Sequence, residues 1–291
     1  MTTAFVFGRR IIGLLIACLM LSGCSALKLG YNTLPELAYW WLDRSLAFND
    51  EQRPRVREDL AALHRWHRSA ELPRFIDVLA RLEQLAPGEL TPTQACSVVD
   101  EVRLRLAALR RQAEPLLAAT GATLGEQQLA HLARRQEHNL REFRRTWVRI
   151  DPVAREDKRV EQFQEHAERL YGRLEPAQRR VLRERIASSR FDGERIVAER
   201  ARRQTDTLET LRQLRAPGLA PAQAQALVRA WLDRLEHSPD AQWRGYQQAL
   251  QQEHCATFAQ LHNAASAEQR ARAAERLRGW QRDLHTLVDQ S

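Results

Sequence analysis

From Leu34 onward the apolar residues return every three or four positions and almost never every second one. Leu34, Leu37, Ala38, Trp41 and Leu42 share one helical face. So do Val98, Val102, Leu106 and Leu109, and so do Trp243, Tyr246, Leu250, Phe258 and Leu261. No run of alternating β-branched residues offers a strand. The starts of these stretches share one chemistry. Thr91-Pro92-Thr93-Gln94 sets a hydroxyl at the N-cap, proline at the first helical position and glutamine two residues later, a capping box with a preorganised first turn. Ser266-Ala267-Glu268-Gln269 is another box, and Asn49–Gln52, Glu175–Gln178 and Ala220–Gln223 are weaker relatives. Breaks are expected at Pro73, Pro87-Gly88, Pro115, Gly121, Gly125, Pro152, Pro217-Gly218 and Pro239. The pattern predicts an all-α protein of about ten helices in a helical bundle or a short helical array.

A faint internal duplication runs through the chain. Asp50-Glu51-Gln52-Arg53 aligns with Pro176-Ala177-Gln178-Arg179, and Leu90–Ala95 aligns with Leu219–Ala224 at nearly the same offset. Two similar helical halves, 31–150 and 151–291, would produce it, stacking their apolar faces in a shared core. Chance alignment of helices rich in Leu, Ala and Arg, within one continuous domain, is the alternative.

The amino end changes this picture. Arg9 and Arg10 precede the apolar run Ile11–Leu21. That run is shorter than the ~20 residues a membrane-spanning helix needs, but it suits a secretory signal. Leu21-Ser22-Gly23-Cys24 follows, and it resembles the bacterial lipobox. The resemblance implies a lipoprotein signal peptide over 1–23, cleavage before Cys24, acylation of that residue, and a lipidated tether over 24–30. An uncleaved anchor or an ordinary signal peptide is the alternative. Ser25 rather than Asp after the cysteine implies the outer membrane, at its periplasmic face. Each buried acyl methylene contributes about 0.8 kcal/mol, so two or three chains make release negligible. The tether spans roughly 20 Å when extended, which makes Trp40 a candidate membrane contact; Trp41, in register with Leu34, Leu37 and Leu42, is expected in the core.

Charge and cysteine count follow from that address. The chain carries a formal charge of +8, and removal of 1–23 leaves +6. A periplasmic location argues against nucleic acid as the partner. Anionic envelope polymer, lipid head groups or an envelope protein remain. Nine arginines against four acids over 179–203, and six against two over 134–149, form either a basic binding face or solvated helix surfaces. Cys96 and Cys255 stay in an oxidising compartment, as a disulfide or as two unpaired thiols.

Catalytic signatures are absent: no G-x-S-x-G, Walker loop, H-E-x-x-H or Gly-rich turn after a strand. The expectation is therefore a non-enzyme with no cofactor and no small-molecule substrate. His64, His67 and Glu71 share one helical side and form a candidate metal set, opposed by the neighbouring charges of Arg65 and Arg68. Gln136-Glu137-His138 recurs as Gln252-Glu253-His254, a second candidate polar or metal pair.

Tyr31-Asn32-Thr33-Leu34-Pro35-Glu36-Leu37-Ala38-Tyr39-Trp40-Trp41-Leu42-Asp43, with Gln52, Leu63–Arg68 and Glu71-Leu72-Pro73, resembles a family of uncharacterised proteobacterial lipoproteins. That resemblance implies a lipobox, a helical body and no assigned activity or site residue. Leu90-Thr91-Pro92-Thr93-Gln94 is also similar to the L-T-x-x-Q motif of small helical periplasmic chaperones and metal-stress proteins. The expected function is a lipid-anchored envelope scaffold or adaptor, with a chaperone-like or metal-stress binder as the alternative.

Overall fold

The computed structural model describes residues 25–290, so the expected signal peptide and Cys24 lie outside the described residues. The described residues are mostly helical and hold no strand. In chain order the helices are α1 Ser25–Asn32, α2 Leu34–Leu46, α3 Gln52–Trp66, α4 Leu72–Leu85, α5 Pro92–Thr123 and α6 Glu126–Trp147. They continue as α7 Pro152–Tyr171, α8 Pro176–Ala187, α9 Gly193–Leu214, α10 Pro221–Glu236, α11 Ala241–Asn263 and α12 Ala267–Val288. Among the described residues no helix is long and apolar enough to cross a membrane.

Three expected breaks do not interrupt the helical chain. The helix α5 runs through both Pro115 and Gly121. At Pro73 the chain stays helical by another route. A π-helical turn over His67–Glu71 joins α3 to α4, widening the backbone where the proline ring would meet the carbonyl four residues earlier.

The chain forms two compact units, each assembled from three segments. The first unit takes residues up to Ser69, Ala107–Val148 and Gly193–Ala241; the second takes Ala70–Leu106, Arg149–Asp192 and Gln242 onward. One boundary, at 148/149, falls beside the 150/151 division expected from the duplication. Each unit nevertheless draws one helical pair from the other half of the chain: α9 and α10 in the first unit, α4 and the start of α5 in the second.

In the first unit Tyr39, Phe48, Val56, Leu60, Leu124 and Leu129 form one buried cluster, and Ala118, Leu214, Ala224, Val228 and Leu232 form another. In the second unit Val160, Tyr171, Leu174, Leu182, Ile186 and Leu261 pack together. The disulfide Cys96–Cys255 joins α5 to α11 there, beside Leu90 and Ala259.

Glutamines at helix starts fasten both units. Gln52 accepts from the Asn49 N–H (3.1 Å) and donates to the Thr123 carbonyl (2.9 Å) at the end of α5. Gln128 accepts from the Gly125 N–H (2.8 Å) and donates to the Leu46 and Ala47 carbonyls (3.1 Å each) at the end of α2. Each side chain thus satisfies an orphan donor of its own helix and an orphan acceptor of the helix that precedes the other. The second unit repeats the scheme. Gln178 bonds the Glu175 N–H (3.0 Å) and the Leu261 carbonyl (3.4 Å), while Gln269 bonds the Ser266 N–H (3.1 Å) and the Arg173 carbonyl (3.0 Å).

Candidate ligand-binding cavity

The glutamine pair of the first unit sets the ends of α2, α3, α5 and α6 together, and a gap remains among them. It is a cavity of about 290 Å³, at the lower end of the range for small-molecule sites, ~300–1,000 Å³. Helix α2 contributes Leu42 and Leu46, α5 contributes Leu116, Leu117 and Gly121, and α9 contributes Leu211 and Leu214. Trp231 of α10 lines it as well, its indole N–H donating to Thr207 Oγ1 at 3.2 Å. Gly121 is needed for close approach: a Cβ there would sit 2.6 Å from Leu214 Cδ1.

Helix α6 gives the cavity its polar end. Leu132, Arg135, Gln136 and Asn139 follow at the i, i+3, i+4, i+7 spacing of one helical face and all line the cavity. The same stripe is apolar on either side, at the buried Leu129 and Phe143. Arg135 Nε, Gln136 Oε1 and Asn139 Oδ1 are buried and have no hydrogen-bond partner among the described residues. Each such atom costs about 1–3 kcal/mol when left unmet, and a flip of either amide presents its NH2 group in place of its oxygen. Arg135 is the one ionisable residue among those lining the cavity. Burial holds its pKa below the usual arginine value, and the nearby Arg44 guanidinium lowers it further. The wall behind is tied down. His131 donates from Nε2 to the Arg44 carbonyl (3.1 Å), and Gln204 donates to the Gln136 carbonyl (3.0 Å). Arg234 grips Asp206 through both carboxylate oxygens.

A pocket of about 370 Å³ in the second unit is lined by Phe163, His166, Leu170, Thr257 and Phe258, among others. None of its lining residues has a buried polar atom without a partner among the described residues. The cavity of the first unit is therefore the stronger site.

The residues expected to carry chemistry fall elsewhere. His64 and His67 are held by Tyr31: His64 Nε2 donates to its carbonyl (3.1 Å), and His67 Nδ1 meets its hydroxyl at 2.9 Å. Burial lowers both imidazole pKa values, and it pushes the Tyr31 phenol up to about 12. Glu71 is buried, with Oε2 3.9 Å from Arg105 Nη1. Among the described residues no three His, Cys, Asp or Glu side chains are grouped to hold a metal ion. Gln136–His138 lies in the first unit and Gln252–His254 in the second. Glu253 there accepts from Ser189 Oγ and from the Arg190 N–H.

Trp40 is 41 % exposed, with the Arg44 guanidinium 5.4 Å from its ring centroid. The expectation for Trp41 is corrected: it is 53 % exposed and edges the cavity, because Tyr39, not Trp41, takes the buried face of α2. Within the arginine-rich run, Arg202 and Arg203 enclose the buried Glu199 at 2.8 and 2.6 Å. Burial alone would raise that carboxyl's pKa, but the two arginines and Ser238 hold it low. These two charges serve the interior of the first unit. The cavity itself was missed from the sequence, although three polar residues interrupting the apolar stripe of α6 were the available signal.

Among known proteins, the model of a family of unknown function, DUF6279, matches residues 44–230. No curated protein and no solved structure matches the chain.

Proposed function

Because the chain belongs to that family, for which no function is known, we propose its role from its own residues: a lipid-anchored envelope protein that acts by binding. The observation that carries the binding role is the cavity of the first unit, with apolar walls and unmet polar atoms at one end. Its lining offers shape, apolar surface and a single cation, a guanidinium that stays protonated and is suited to holding an anion. Support for the address comes from Leu21-Ser22-Gly23-Cys24 behind a short apolar run, which favours acylation at Cys24 and the periplasmic face of the outer membrane. The Cys96–Cys255 disulfide suits an oxidising compartment. Trp40 and Trp41, half-exposed on α2 and close in sequence to Cys24, suit a position beside the lipid surface.

The test pairs address with binding. Mass spectrometry of the native amino end should find a cut before Cys24 and an acylated cysteine. The purified protein should bind a neutral, environment-sensitive fluorophore that Leu132→Trp, placed to fill the cavity, excludes. An uncut, unacylated end removes the address; equal probe binding by both proteins removes the site.

A chaperone-like role has one observation in its favour. Val99, Leu104 and Leu106 stand exposed on α5 within the second unit. It requires that the purified protein slow the aggregation of an unfolding client, and that replacing the three with Gln abolish this.

A further inference from the structure

We infer that the cavity of the first unit takes one acyl chain bearing an anionic head group, with the head seated against Arg135. The inference rests on the binding reading above and names its ligand class.

Four features of the cavity lead there. The walls built by Leu42, Leu116, Leu211 and Leu214 are aliphatic and match a methylene chain. The volume of about 290 Å³ suits one chain rather than two. The polar end holds a guanidinium with a buried Nε and no carboxylate partner among the described residues. A carboxylate or phosphate is the acceptor whose geometry that fork meets, through charge-assisted hydrogen bonds. The adjoining Gln136 and Asn139 amides are the neutral complement. Turned one way they donate to a head-group oxygen, and turned the other they accept from a head-group hydroxyl.

Electrostatics around the site point the same way. Arg44 is close enough to act on Arg135, so a second positive charge stands nearby, and it disfavours a cationic head. Trp41, on the rim, supplies an amphipathic ring where the head-group end of a chain would emerge. A free fatty acid and a lysophospholipid share this chemistry and differ in the size and charge of the head.

The experiment is calorimetric titration of the purified protein with dodecanoate, lauroyl lysophosphatidate, dodecanol and dodecylamine, each below its micelle concentration. Dodecanoate or lysophosphatidate should bind about tenfold or more tightly than dodecanol, as expected for one charge-assisted hydrogen bond gained. Dodecylamine should bind weakest. Arg135→Gln should bring the anionic ligand down to the level of dodecanol and leave dodecanol unchanged, with its thermal unfolding checked to be native-like. Tighter binding of dodecanoate identifies the fatty-acid source, and tighter binding of lysophosphatidate the phospholipid source. Equal affinity for dodecanol and both anions, or no effect of Arg135→Gln, overturns this inference while leaving a cavity that binds apolar ligands. Failure of every amphiphile to displace the neutral fluorophore, together with unaltered fluorophore binding in Leu132→Trp, overturns the underlying reading as well.

Discussion

The two units close their helix ends with the same reciprocal glutamines, yet they differ in what stands behind them. In the second unit the space is cross-linked, and its 370 Å³ pocket is lined by no buried polar atom without a partner among the described residues. Tyr171 is fully buried, its hydroxyl meets His262 Nδ1 at 2.8 Å, and His262 Nε2 donates to the Gly88 carbonyl at 2.9 Å. The Cys96–Cys255 bond lies in the same unit. In the first unit the helix ends surround a cavity lined by leucines and by three polar atoms with no partner among the described residues. An unfilled apolar void and unmet polar atoms both lower stability. One frame thus supports a stapled unit and a unit whose cavity is edged by unmet polar atoms, and the latter is where binding is to be sought.

Removing the staple should have the largest effect. The disulfide closes a loop of 159 residues, and Cys96→Ser with Cys255→Ser should destabilise by roughly 3–5 kcal/mol. Hydrogen exchange should show faster opening in α7, α8, α11 and α12 than in α2, α3 and α6. Uniform acceleration would mean that the units do not differ in this way.

Next come the glutamines. Gln178→Ala leaves the Leu261 carbonyl and the Glu175 N–H unmet in a fully buried setting, at a cost of about 2–4 kcal/mol. Gln52→Ala should cost less, because Asn49 and Thr123, whose N–H and carbonyl it bonds, are exposed and water can replace those bonds, whereas Leu261 is buried. Urea unfolding of the two variants decides it, and equal losses would erase the distinction.

The turns that lead into the two glutamine starts differ in residue and in conformation. Ala47 is left-handed helical at φ 51°, ψ 62°, whereas Gly172 lies at φ 75°, ψ −162°, a region open essentially to glycine alone. Ala47→Gly should stabilise the protein by about 0.5–1 kcal/mol through relief of a left-handed alanine. Gly172→Ala should destabilise it by at least as much, since its Cβ would also meet Arg272 Nη1 at 2.4 Å. Paired thermal melts would show opposite signs, and matching signs would refute the assignment.

The smallest effect concerns pH. Burial lowers the His262 pKa, with the Gly88 carbonyl partly opposing it. The neutral imidazole is the folded form. Its contribution is complete above the unfolded value of about 6.5, and it is lost as pH falls through the lowered folded value. At pH 8, His262→Gln should cost about 1 kcal/mol for the weakened hydrogen bonds. The gap between wild type and variant should narrow toward pH 5, and a constant gap in urea unfolding would show that His262 does not titrate in this way.

Much of this was legible along the chain. The spacing of Leu34 through Leu42 and the boxes at Thr91 and Ser266 marked helices and their starts, because capping and amphipathicity act within a few residues. The correspondence of Gln52 with Gln178 was visible too, although not that each reaches across to a second helix start. Pro115 and Gly121 were misread as breaks. A long helix tolerates one missing N–H, and Gly121 is small because Leu214 packs against it. Along the chain Arg135 belongs to the basic run 134–149 and Gln136 to a repeated tripeptide, and only α2, α5, α9 and α10 make them, with Asn139, one polar end of a cavity.

Helix content, helix starts and the run ahead of Cys24 are consequences of near-neighbour chemistry, so residue order alone was enough for them. Which helices share a unit, which cysteine and histidine find partners, and where a gap persists depend on contacts between residues far apart in the chain. Those contacts are settled by shape and burial in three dimensions, and no short stretch of residues encodes them.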